Sequence, residues 1–176
     1  MKDNSKINTL TAALFIIYLI ALFWIIVLKL NVHFSYMGNM RRINLIPFSE
    51  SLILNGKPDF GEIILNVLIF IPTGIYAGVL FKRWVIWKKL FLFCLISLIC
   101  EGIQFIMALG VFDITDIINN TLGGIIGLMM YLGIEKAFKN SVKAQKFINL
   151  IALIGTISMI LLLFLLKTNH LGIRYQ

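Results

Sequence analysis

The sequence predicts an all-α integral membrane protein, a polytopic bundle of about five transmembrane helices. Apolar residues make up 60% of the 176 residues, only 14% are charged, and the mean hydropathy is +0.94. A water-soluble domain of this size could not cover so much apolar surface. Apolar runs of about 20 residues are also long enough to cross the roughly 30 Å hydrocarbon layer as helices, and the chain contains several.

Five apolar runs define the predicted helices. They cover approximately residues 9–28, 60–81, 87–109, 114–134 and 147–166. The first run follows a short polar segment, residues 1–8. It is longer than the core of a usual signal peptide and ends in bulky residues around Trp24, without a small-residue cleavage site, so we expect a retained helix. Between the first two runs, residues 29–59 form a loop that is too long for a tight hairpin and amphipathic enough to lie at the membrane interface.

The basic residues predict the orientation in the membrane. The formal charge is +8, but the sixteen Lys and Arg lie almost entirely between the apolar runs, which is typical of topology signals and anionic-lipid contacts and disfavours nucleic-acid binding. Ten of them fall in residues 1–8, 82–89 and 135–146, and six fall in the loop 29–59 and the tail 167–176. This excess predicts a multi-pass cell-membrane protein with a cytoplasmic N-terminus and an external C-terminus.

Signatures of metal sites, cofactors and soluble enzymes are absent from the sequence. Cys94 and Cys100 lie six residues apart in one apolar run, which separates them around a helix. His33 and His170 stand in polar segments without companion ligands. The chain contains no glycine-rich nucleotide loop, nucleophile elbow or HExxH motif. We therefore predict neither a metal site nor a cofactor.

A few acidic and amide residues lie at one end of the apolar runs, near the short turn between the third and fourth runs. They are Asn66, Glu101, Gln104, Asp113, Asp116 and Asn119. The i, i+3 spacing of Glu101 and Gln104 places both on one helix face. Two helices joined by a short turn are antiparallel neighbours, so polar residues on either side of the turn can face each other. An ionisable group at membrane depth needs a partner or a water-filled cavity, and we expect a polar, acidic cleft open to the outside.

Structural roles are open alternatives for the same residues. Glu101 either pairs with Arg41, Arg42 or Gln104 to fix the register of the bundle or engages a ligand. Alternatively, one of Asp113 and Asp116 caps the fourth helix, where a carboxylate accepts hydrogen bonds from unsatisfied backbone N–H groups.

Amide and glycine residues also have structural interpretations. Asn119 and Asn120 are candidates for hydrogen bonds between helices. The motifs Gly74-x-x-x-Gly78 and Gly123-x-x-x-Gly127 predict close-packing helix faces, either within the bundle or in a homo-oligomer.

Four separated motifs resemble the VanZ-like family of bacterial membrane proteins. They read RRINLIPF at residues 41–48, NVLIFIPTG at 66–74, EGIQ at 101–104 and DITDIINNTLG at 113–123. The resemblance covers roughly residues 10–135, so we assign residues 9–134 to a VanZ-like transmembrane domain and place the fifth run outside it. The arginine of the first motif corresponds to either Arg41 or Arg42.

The resemblance and the buried polar positions together define the candidate ligand-binding residues. They are Arg41, Arg42, Asn44, Asn66, Glu101, Gln104, Asp113, Asp116 and Asn119. The family resemblance implies a Gram-positive cell envelope and a role in resistance to teicoplanin-type glycopeptides or in envelope homeostasis. It implies no particular biochemical activity.

Two functions from different classes follow. In the first, the chain is a non-enzymatic envelope factor whose cleft binds a membrane lipid, a lipid-linked wall precursor or a lipoglycopeptide. In the second, it is an intramembrane enzyme in which Glu101 and either Asp113 or Asp116 act as an acid/base pair on a lipid-linked wall precursor or a phospholipid, with Arg41 or Arg42 holding a phosphate. Proton-coupled transport is disfavoured because the acidic residues reach only one side of the membrane.

Overall fold

The computed structural model describes residues 2–27, 42–48 and 60–167. These residues form α1 (Lys2–Val27), β1 (Ile43–Asn44), α2 (Gly61–Leu80), α3 (Ile86–Ile106), β2 (Phe112–Asp113), α4 (Ile114–Phe138) and α5 (Ser141–Lys167). The five helices within these residues are long and apolar enough to cross a membrane. The predicted all-α membrane bundle is therefore confirmed, with one addition, the two short strands.

Helices α2 and α4 pack closely along the glycine motifs. A Cβ atom at Gly123 would overlap the carbonyl oxygen of Val67, one at Gly127 that of Ile71, and one at Gly74 that of Gly124. These contacts advance together along both helices, so α2 and α4 run parallel. Small residues let membrane helices approach to backbone contact, as the sequence predicts. In the described part of the chain, each glycine face packs against the other helix.

Helix α3 completes the central group of helices. It packs against α4, where Phe93 lies over Gly124 and Asn120 Nδ2 donates to Ser97 Oγ at 2.9 Å. Phe93, Tyr131 and Leu128 belong to one buried apolar cluster. Outward-facing positions are also apolar, with Trp87 75% exposed, as expected for a surface that meets lipid.

Helix α1 is fixed to α2 by a tyrosine. Tyr18 Oη donates to the carbonyl of Ile69 at 2.7 Å and lies 2.7 Å from Thr73 Oγ1, whose hydroxyl can donate to it in turn. Ile69 and Thr73 lie on either side of Pro72, whose nitrogen has no hydrogen to donate within α2. The tyrosine therefore provides a polar contact where the α2 backbone is interrupted.

Polar residues join α1 to α5 near the start of both helices. Gln145 Nε2 donates to Asn8 Oδ1 at 2.9 Å and to Thr11 Oγ1 at 2.8 Å, and Thr11 Oγ1 donates to Asn149 Oδ1 at 2.9 Å. Both helices begin before the apolar runs that predict them, at Lys2 and Ser141. Mutual hydrogen bonds of this kind satisfy polar side chains that hydropathy alone would place outside a membrane helix.

Candidate functional site

The site begins with two short parallel strands. Ile43 pairs with Phe112, and Asn44 pairs with Asp113. The backbone N–H of Phe112 donates to the carbonyl of Arg42 at 3.0 Å. The strands join the first sequence motif to the turn between α3 and α4. This contact is not apparent from the sequence, because two-residue strands are too short to show an alternating pattern.

Asp113 is the central residue of the site. Its Oδ1 accepts from the backbone N–H of Thr115 at 2.7 Å, which makes it the N-cap of α4. Its Oδ2 accepts from Asn44 Nδ2 at 3.1 Å. The capping alternative is therefore correct for Asp113, and the same carboxylate also holds β1 in place.

Glu101 contacts the backbone of Asp113. The side chain of Glu101 is 1% exposed, and its Oε2 accepts from the N–H of Asp113 at 3.4 Å. In a capping box, a glutamate of the same helix takes this N–H. Here the carboxylate comes from α3, so Glu101 couples α3 to the start of α4.

Gln104 does not join the acidic residues directly. Its Nε2 donates to the carbonyl of Ile26 at 2.9 Å, near the end of α1. The amide therefore donates to a carbonyl in the last turn of α1. Gln104 ties α3 to α1, while Glu101 ties α3 to α4.

A second polar pair lies between α2 and α4. Asn66 Nδ2 donates to Asp116 Oδ1 at 2.7 Å, and both side chains are half-buried. Asp116 also stands in the first turn of α4, where a negative charge is favoured by the helix dipole. This pair is the more accessible part of the site, because Asn44, Glu101 and Asp113 are buried.

The two neighbouring asparagines of α4 have different surroundings. Asn120 Nδ2 bonds Ser97 on α3, as expected for a contact between helices. Asn119 is 3% exposed, and its Nδ2 has no hydrogen-bond partner among the described residues. Asn119 lies on the same face of α4 as Asp116, one turn deeper in the bundle.

Residues from the first motif close the edge of the site. Phe48 N–H donates to Thr115 Oγ1 at 3.0 Å, and Ile46 N–H donates to Asn44 Oδ1 at 3.2 Å. Phe48 has a positive φ of 62°, a conformation that non-glycine residues seldom adopt. Thr115 was not among the predicted site residues. Its position two residues after Asp113, in the first turn of a helix, is the signal that could have identified it.

The structure brings the predicted residues to one end of the bundle in separate groups: Asn44, Glu101 and Asp113 are joined by hydrogen bonds, and Asn66 and Asp116 form a second pair. Gln104 bonds to α1 instead. Arg42 is exposed, and Arg41 lies outside the described residues. In the described ranges, no group of three or more His, Cys, Asp or Glu is placed to hold a metal ion. These groups of site residues offer carboxylate and amide oxygens, and the exposed residue Arg42 lies beside β1.

Comparisons with known proteins identify the family of the chain. The VanZ/LLP1 family model matches residues 15–139, which includes all four motifs. Protein VanZ of Enterococcus faecium is 36% identical over 168 residues, covering 94% of this chain and 97% of that protein. No solved structure gives a significant match. Because only 6% of this chain lies outside the alignment, most of α5 must be included in it, although the family model ends before that helix. The chain belongs to the VanZ family of membrane proteins.

Proposed function

We propose that this chain protects the cell envelope against teicoplanin-type lipoglycopeptides, or maintains the envelope, by binding a polar head group at an outward-facing site. The site comprises Asn44, Asn66, Glu101, Asp113 and Asp116, with Arg42 at its edge. Family membership supports the envelope role. The outward orientation rests on the excess of basic residues at the opposite end of the bundle.

A binding role is supported by a difference in solvent exposure among the carboxylates: Glu101 and Asp113 are buried, whereas Asp116 is half-buried. Both oxygens of Asp113 accept hydrogen bonds from the protein, and Glu101 accepts one from the Asp113 backbone. These groups hold β1 and α4 in place. Asp116, paired with Asn66, is half-buried and can accept hydrogen bonds from an ammonium or hydroxyl group.

Arg42 supplies the opposite charge. It is exposed beside β1, and its carbonyl is fixed by Phe112. A guanidinium binds phosphate or carboxylate oxygens in a planar, two-pronged geometry. An amphiphile anchored in the outer leaflet, with an anionic group and hydroxyl or amine groups in its head, matches this combination. A lipoglycopeptide, a lipid-linked wall precursor and a membrane lipid all meet that description.

Drug susceptibility tests the proposal. The chain is expressed in a susceptible Gram-positive host, and minimum inhibitory concentrations are measured for teicoplanin and vancomycin. We expect a larger increase for teicoplanin, whose acyl tail places it in the membrane. Asp116→Asn should remove the effect at unchanged membrane expression. Glu135→Gln is the matched control, because Glu135 pairs with Lys82 at the opposite end of the bundle. Equal shifts for both drugs, or full activity of Asp116→Asn, would contradict the proposal.

Enzymatic action on a lipid-linked wall precursor or a phospholipid is the second candidate. It is favoured by the position of Glu101 and Asp113, two buried acidic residues joined by the hydrogen bond from the Asp113 backbone N–H to Glu101 Oε2. An acid/base pair would change the chemical composition of the envelope. Lipid and muropeptide profiles of strains with and without the chain distinguish the two functions. A changed species supports catalysis, and identical profiles with retained drug protection support binding.

A further inference from the structure

A cavity lies at the end of the bundle opposite the polar site. It has a volume of about 500 Å³ and is bordered by the start of α1, the α2–α3 connection and the start of α5. This volume lies within the roughly 300–1,000 Å³ range of small-ligand sites. One wall is polar, with Asn8, Ser141 and Gln145, and Lys82 and Arg83 stand at the α2–α3 connection.

The polar wall is held in a fixed arrangement. Gln145 donates to both Asn8 and Thr11, so α5 and α1 cannot separate without breaking buried hydrogen bonds. The start of α5 is fixed as well, because Asn140 Oδ1 accepts from the backbone N–H of Val142 and Lys143. A cavity whose wall is ordered in advance loses less conformational entropy when a ligand binds.

The charge around the cavity favours an anion. The connections 82–89 and 135–146 carry eight basic residues and one acidic residue, Glu135. Glu135 lies 3.8 Å from Lys82 Nζ, and Arg83 is exposed at the cavity. Basic pockets between membrane helices bind the phosphate groups of anionic lipids.

The remaining lining of the cavity is apolar. Leu80 and Phe81 line the cavity at the end of α2, and Trp84 stacks on Phe81 with ring centroids 4.4 Å apart. Tryptophan is enriched at the head-group level of membranes. An occupant with a phosphate at Lys82 and Arg83 could extend its acyl chains along this surface.

We propose that this cavity is a binding site for the phosphate-bearing head group of an anionic phospholipid. It is separate from the α3–α4 site. The α5 residues that form part of its wall, Ser141 and Gln145, lie beyond the region matched by the family model. The alternative is non-specific attraction of the whole basic surface to anionic lipid, which requires no cavity. A specific site predicts that lipid binding depends on the basic residues that line the cavity, whereas non-specific attraction predicts that all exposed basic residues at this end contribute.

Binding is tested with the purified full chain in detergent by native mass spectrometry, with short-chain phosphatidylglycerol, phosphatidylcholine and inorganic phosphate as probes. We expect phosphatidylglycerol to bind at least about tenfold more tightly than the other two. Arg83→Ala should weaken phosphatidylglycerol binding about tenfold, and Arg83→Lys should restore part of it. Both variants change an exposed side chain, so the fold should persist.

Lys136→Ala is the matched control, because Lys136 is an exposed basic residue at the same end of the bundle that does not line the cavity. It should leave phosphatidylglycerol binding unchanged. Equal weakening by Arg83→Ala and Lys136→Ala would assign the binding to diffuse surface charge and overturn the proposal. If inorganic phosphate bound as tightly as phosphatidylglycerol, the proposal that the occupant is a lipid would be wrong. Equal binding of phosphatidylcholine and phosphatidylglycerol would also contradict the proposal, because the site would then not select an anionic head group.

Discussion

Asn44 Nδ2 donates a hydrogen bond to Asp113 Oδ2 at 3.1 Å, which connects the first sequence motif to the residue that caps α4. The two residues are 69 positions apart in the chain and are paired in the parallel strands. The contact explains why one asparagine in a polar loop belongs to the same site as the acidic residues of the α3–α4 turn. The loop that contains Asn44 and the α3–α4 turn that contains Asp113 therefore hold each other in position.

The Asn44–Asp113 contact predicts coupled effects on stability. Asp113→Ala should lower the free energy of unfolding by about 1–3 kcal/mol, because it removes a helix cap and leaves the Asn44 amide without its acceptor. Asn44→Ala should have a smaller effect. The double variant should be less destabilised than the sum of the two single variants, as measured by thermal unfolding in detergent. Strict additivity would show that the contact contributes nothing.

Glu101 allows a test that separates charge from hydrogen bonding. Glu101→Gln retains an oxygen that can accept from the Asp113 N–H, so we expect normal expression and thermal stability. Glu101→Leu removes the acceptor and should destabilise the chain by about 1–3 kcal/mol. Loss of teicoplanin protection in Glu101→Gln would show that the negative charge itself is needed. Protection equal to wild type would restrict Glu101 to holding the α3–α4 turn.

The glycine contacts between α2 and α4 predict a sharp dependence on position. Gly127→Ala should reduce the folded fraction strongly, because the added methyl group would overlap the carbonyl of Ile71. Gly133→Ala is the control on the same helix, since no atom lies within 4 Å of a Cβ added there. It should be neutral or stabilising by up to about 1 kcal/mol through helix propensity. Similar melting temperatures for the two variants would contradict the close packing.

Orientation can be tested by labelling with a membrane-impermeant thiol reagent. In a background where Cys94 and Cys100 are replaced by serine, Leu45→Cys should react in intact cells, and Lys139→Cys should react only after permeabilisation. Both positions are exposed, and they lie at opposite ends of the bundle. The reverse pattern would place the polar site in the cytoplasm and would overturn the outward-facing proposal.

Much of the fold follows from hydropathy and glycine spacing, whereas the contacts within the site do not. The repeated spacing of Gly123 and Gly127 predicts a close-packed face, and the structure confirms it. The same residues cannot show which helix covers that face. The acidic residues near the turn predict a polar site, but the roles of Asp113 as cap and Gln104 as a donor to α1 depend on the positions of other helices. The contribution of Asn44 depends on a loop contact that has no periodic signature.

The parallel strand pair also constrains the order in which the protein can be assembled. Residues 43 and 44 leave the ribosome well before Phe112 and Asp113, and α2 and α3 must be inserted between them. Asn44 therefore cannot pair with Asp113 until the α3–α4 hairpin has formed. A nascent chain arrested before residue 112 would lack Phe112 and Asp113, so it could not pair β1. Completion of the site is consequently a late event in biogenesis and a marker for correct insertion of α4.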